Sequence, residues 1–129
     1  MTRSTRVSPK VFYSAPHVGY KVKSLQPELV WKAPPGAGDM FDVIIYSGIK
    51  KQLSMHSFYQ PGKELYYREG VSGTSHKVEV PLPPDTFCLW GVRTRKDGVT
   101  GPWSTYSGQD SLNGTEYADQ WWRFTTPKE

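Results

Sequence analysis

Few side chains in this 129-residue chain are spaced for catalysis or metal binding. The three histidines, His17, His56 and His76, stand far apart. None is followed within four residues by a second His or a Cys, as a compact ligand set on one element requires. The chain lacks His-Glu-x-x-His, the phosphate-cradling Gly-x-x-x-x-Gly-Lys and the Gly-x-Ser-x-Gly elbow; Gly70 to Gly73 reads only as a turn. Cys88 is the one cysteine, which excludes an intrachain disulfide and a zinc site built on several Cys. It falls on the apolar face of an alternating segment, where a thiol is expected to be buried and inert. No spacing among the twelve Asp and Glu singles out a catalytic pair. The expectation is a non-catalytic protein with no cofactor and no metal.

Aromatic residues are the unusual resource, with five Trp, eight Tyr and five Phe. Trp31, Phe41, Trp90, Trp122 and Phe124 fall on faces expected to point inward. The remainder are hard to bury all at once. Consecutive strand residues point to opposite faces, so Tyr66-Tyr67 and Trp121-Trp122 must each present one ring outward. Tyr59, Tyr66, Tyr67, Tyr106, Tyr117 and Trp121, with Arg68 and Arg123, are therefore the candidate binding residues, because aromatics and Arg are enriched at interfaces. Such rings suit a protein partner or, if coplanar, a polysaccharide; cover by the N-terminal arm or the long loops is the competing explanation. Sixteen Lys and Arg against twelve acids give a net charge of +4. Apart from Arg3, Arg6 and Lys10 and the pair Lys50-Lys51 this charge is spread, so no nucleic-acid partner is expected.

The elements that must carry these residues are short strands, because Pro and Gly punctuate the chain densely. Residues 1–24 read as a polar arm with a possible strand at Tyr20 to Val22. Leu29 to Pro34 alternates, and Phe41 to Ser47 is a buried-strand run. A long polar connection follows to Gly62, with the only hint of helical period at Ile49 to His56. Glu64 to Gly70 and His76 to Val80 are further strands. Thr86 to Arg95 puts Cys88, Trp90, Val92 and Thr94 on one face and Leu89, Gly91, Arg93 and Arg95 on the other. Lys96 to Gly98 is a hairpin turn, Asn113-Gly114 a second turn signal, and Trp121 to Thr126 the closing strand. About seven strands over residues 25–127 make an all-β antiparallel β-sandwich, with a possible weak homodimer through an open sheet edge. No apolar run spans a membrane, and no signal peptide is visible. Asn113-Gly114-Thr115 is a glycosylation sequon by pattern.

Leu29, Trp31 and Pro34, then Leu82, Pro84 and Thr86, then Trp90, Val92, Gly98, Pro102, Trp103 and Ser104 together resemble a fibronectin type III domain, an immunoglobulin-like sandwich. The departures are Cys88 in place of the corner tyrosine, a longer connection before Gly62 and a longer stretch at 107–119. Within that resemblance, Trp103-Ser104-Thr105-Tyr106-Ser107 is similar to the Trp-Ser-x-Trp-Ser box of class I cytokine receptors. The likeness implies that Arg93 and Arg95 stack against Trp103 as a structural ladder. The family implies an interaction or spacer module of a secreted, periplasmic or cell-envelope protein, with a carbohydrate-binding domain as the alternative.

Overall fold

Leu29 and Trp31 alternate with Glu28, Val30 and Lys32, and the structure realises this period as a strand with its odd positions buried, at 0% and 2% exposed. The computed structural model describes residues 13–15, 20–33, 35–53, 56–110 and 115–128, with side chains for 21–33, 35–50, 60–104 and 121–128. Ten strands follow one another: β1 (Tyr13–Ala15), β2 (Tyr20–Lys21), β3 (Glu28–Lys32), β4 (Met40–Leu53), β5 (His56–Ser72), β6 (Ser75–Lys77), β7 (Phe87–Lys96), β8 (Val99–Thr100), β9 (Thr105–Asp110) and β10 (Thr115–Thr125). They form two sheets, β1-β3-β6 and β2-β10-β7-β4-β5, with β8 added to β7 and β9 to β10. The pairings are antiparallel, except that β2 runs parallel to β10. The protein is an all-β sandwich.

Its core lies between the sheets, where Leu29 and Trp31 of β3 meet Phe41, Val43 and Ile45 of β4 and Cys88, Trp90 and Val92 of β7. Each large apolar side chain buried there contributes roughly 1.5–3 kcal/mol. Phe124 is fully buried, and Trp122 packs on Trp90 with ring centroids 5.5 Å apart. Cys88 is inside, and burial pushes its thiol up to about 12. Native protein is therefore expected to resist thiol reagents until it unfolds; rapid labelling of folded protein would contradict this placement.

Three departures from the sequence reading matter. Tyr13–Ala15, read as part of a polar arm, pairs with β3 as an edge strand. The expected helical hint and polar connection after Ser47 are instead a continuous hairpin. β4 runs on to Leu53, and β5 returns from His56 through six further cross-strand pairs, Gly48↔Pro61 to Leu53↔His56. No Gly or Pro interrupts Ile49 to Leu53, so the ladder continues once β4 and β5 have paired. The long stretch after Trp103 is a second hairpin, β9–β10. Its turn signal, Asn113-Gly114, lies outside the described residues. The Lys96–Gly98 turn is as expected, with Asp97 and Gly98 both left-handed (φ 53° and 78°), the geometry that matches strand twist in a tight hairpin.

Thr126, just after β10, is 1% exposed. Its hydroxyl accepts a hydrogen bond from the Thr86 amide at 2.8 Å and donates to the Pro83 carbonyl at 2.7 Å. The turn before β7 is thus pinned to the segment that follows β10.

Candidate functional site

The larger sheet turns Phe41, Val43 and Ile45 inward, and so turns Asp42, Ile44 and Tyr46 to its outer face. Register sets Asp42 opposite Arg93, Ile44 opposite Gly91 and Tyr46 opposite Leu89. Asp42 is 0% exposed, the one carboxylate in the apolar stretch from Met40 to Ile45, and it stays charged because it is fully coordinated. Arg93 donates from Nε at 2.7 Å, and Arg95 from Nε and Nη2 at 2.9 and 2.8 Å. A fourth donor is the Gly70 amide at 3.1 Å. That amide is available because β5 is bulged: between the pairs Phe41↔Val71 and Val43↔Arg68, it carries Glu69 and Gly70 against Asp42 alone. Gly70 sits at φ 67°, which a side chain would strain. Burial alone raises the Asp42 carboxyl, but hydrogen bonds from Arg95, Arg93 and Gly70 outweigh it and hold the group below the usual carboxylate range.

The network continues outward. Arg93 Nη2 donates to the Tyr67 hydroxyl at 3.1 Å, Tyr67 donates to Glu69 at 2.6 Å, and Arg95 Nη2 lies 3.4 Å from Glu69. The guanidinium carbon of Arg93 stands 4.4 Å from the centre of the Trp103 ring. The Arg93–Trp103 rung of the expected ladder is therefore present, whereas Arg95 is occupied by the two carboxylates. Next to Trp103, Ser104 locks the chain to β7 twice. Its amide donates to the Val92 carbonyl at 2.9 Å, and its hydroxyl accepts from the Val92 amide at 2.8 Å. Arg93→Ala is expected to cost about 1–2 kcal/mol through lost stacking and hydrogen bonds; an unchanged melting temperature would count against the ladder.

A second apolar layer covers the same face. Leu89 is 0% and Ile44 5% exposed, although both point away from the sandwich core. Trp121 lies over Gly91, so close that a Cβ there would sit 2.7 Å from its Cζ3. Tyr46 meets Trp121 edge-on at 5.5 Å, and Trp103 meets it at 6.2 Å with a 40° tilt. Phe87 caps Gly48 in the same way. β10 also approaches β5, although β7 and β4 separate them in the sheet. Part of β10 therefore leaves the sheet plane across this outer face.

These placements sort the candidate binding residues. Tyr67 is 37% exposed, and of the adjacent pair it is the outward ring; Arg68 is exposed, 3.6 Å from Glu79. Tyr66 corrects the expectation of a surface ring: it is 8% exposed and ties the two sheets together at their rim. Its hydroxyl donates to Glu79 at 3.1 Å and lies 2.6 Å from Nε2 of His76, which must then be the donor in that contact. Burial pushes the His76 imidazole down and the Tyr66 phenol up. Trp121 is half-buried over Gly91 rather than a free platform, and Arg123 is half-buried opposite Leu89. Tyr59, Tyr106 and Tyr117 lie on β5, β9 and β10, with side chains outside the described residues.

Asp42, Glu69 and Gly91 were missed by sequence reasoning. Two arginines on one strand face call for an acid on the neighbouring strand, and Asp42 was the acid inside the next apolar run. The bulge that brings Glu69 and Gly70 to it has no such signal. No family model, curated protein or solved structure matches the chain.

Proposed function

We propose that this chain is a non-catalytic interaction or spacer module of the fibronectin type III kind, from a secreted, periplasmic or cell-envelope protein. The strand order carries the reading. The first, second and fifth main strands (β1, β3, β6) form one sheet and the third, fourth, sixth and last (β4, β5, β7, β10) the other, so the chain crosses between two antiparallel sheets as immunoglobulin-like sandwiches do. The Arg93–Trp103 rung supports it further. Among the described residues no helix is long and apolar enough to cross a membrane.

A protein partner is favoured over a polysaccharide because the rings are not coplanar. Trp103 and Tyr46 are inclined to Trp121 by 40° and 79°. Tyr67 and Arg95 give the outer face the aromatic and Arg side chains enriched at interfaces. The test pairs capture from envelope extracts by immobilised wild type and Tyr67→Ala with a tryptophan-fluorescence titration against soluble polysaccharides. A captured protein that is lost with Tyr67→Ala supports the module. Saturable quenching that vanishes in Trp121→Ala would replace it with the sugar-binding reading.

A further inference from the structure

The β4–β5 hairpin outgrows the sheet that supports it. Ser47 is opposite Cys88, one residue from the start of β7, and beyond Gly48 the hairpin pairs only with itself. From Gly48 to Leu53 the free ribbon reaches about 17 Å. A two-stranded ribbon without a sheet beneath it is marginal in water. This one nevertheless carries Ile49, Leu53, Phe58 and Tyr59, and Ile49 is already 45% exposed. Register sets Lys50 opposite Tyr59 and Lys51 opposite Phe58, so lysines and rings share adjacent rungs. No acid occurs between Val43 and Lys63.

The rest of that end of the sandwich is basic as well. Lys21 is level with Thr125 and Phe87, and Lys23 follows it. Lys63 lies beside Ser47, its amide bonded to the Ser47 hydroxyl at 2.9 Å. Lys128 follows Pro127, whose carbonyl accepts from the Asp85 amide. Lys21, Lys23, Lys50, Lys63 and Lys128 are all exposed. Among the described residues the acids beside these segments are Asp85, Glu64, Glu28, which is opposite Lys77, and Glu79, which lies 3.6 Å from Arg68; Glu129 follows Lys128 in the sequence.

We infer that this end docks on an anionic lipid surface, with the ribbon entering the headgroup region and the lysines around its base contacting lipid phosphates. A partner for it must be both apolar and negatively charged. A flat bilayer meets the lysines of this end and one protruding ribbon of apolar composition at once. This inference is independent of the interaction-module reading, because it uses the opposite end of β7 from the Arg95 and Glu69 pair.

The experiment is co-sedimentation with phosphatidylcholine vesicles that contain or lack phosphatidylglycerol. The expected result is salt-sensitive binding to the anionic vesicles alone. Removing a lysine near such a surface weakens partition about fivefold, so Lys50→Ala/Lys51→Ala is expected to weaken it about 25-fold. An environment-sensitive dye on a Phe58→Cys variant should brighten on binding, since Cys88 is buried and left unlabelled. Melting curves check that the variants stay folded, and Lys23→Ala/Lys63→Ala, off the free ribbon, is the second variant, with a comparable loss expected. No binding to the anionic vesicles would overturn the inference, as would full binding by both folded lysine variants. Equal binding to a soluble sulfated polymer with no dye response would assign the end to a polyanion instead.

Discussion

Replacing Asp42 by Asn is expected to lower the unfolding free energy by about 3 kcal/mol, seen as a fall in Tm of more than about 10 °C for a domain of this size. Asp42 is fully buried and is the shared acceptor for Arg93, Arg95 and the Gly70 amide. An amide keeps the shape but removes the charge, and its NH₂ faces donors rather than acceptors. The pH dependence has a definite sign. The folded carboxyl titrates below the unfolded one, so the unfolded chain takes up the proton first as pH falls. The contribution is complete above about pH 4 and is lost as pH drops through the lowered folded value. The gap between wild type and Asp42→Asn should thus be flat near neutrality and narrow in acid. A loss that begins near about pH 6.5 belongs to His76 instead, whose depressed imidazole lets the unfolded chain protonate first. A variant as stable as wild type at pH 7 would remove Asp42 as the organiser of this face.

Gly91→Ala is expected to cost about 2–3 kcal/mol, the range for overpacking a filled site. The new methyl would stand 2.7 and 3.0 Å from Cζ3 and Cε3 of Trp121, a rigid ring that Tyr46 and Trp103 also contact. The same substitution in a Trp121→Ala background should cost less than about 1 kcal/mol, since the obstructing ring is gone, and the difference is their coupling. Equal costs in the two backgrounds would show that Trp121 does not rest on Gly91.

These two residues also show how far sequence reasoning reaches. Binary alternation is a local property, so the faces of β3 and β7 were legible, including the inward Cys88 and the outward Arg93 and Arg95. The stacking of Arg93 on Trp103 was anticipated only through the resemblance of the Trp103 to Ser107 box; Trp103 itself lies between β8 and β9, and the Lys96–Gly98 turn brings that segment back beside β7. Tyr66 was harder. Its neighbour Tyr67 was correctly one of an in-out pair, but which ring faced inward depended on irregularities in the pairing of β5 with β4. A one-residue bulge reverses facing, and its position is set by the partner strand.

Local pattern therefore determined the central strands, their inner faces and the all-β class, since a two-residue period and turn residues act within a few positions of chain, but not β1, β9 or the far half of the β4–β5 hairpin. Tertiary structure decided the rest. The bonds of Thr126 to the turn before β7, the four donors gathered on Asp42 and the seat of Trp121 on Gly91 all join residues distant in sequence. Their geometry exists only once two sheets have set register, and no periodicity along a single strand encodes a contact made across several.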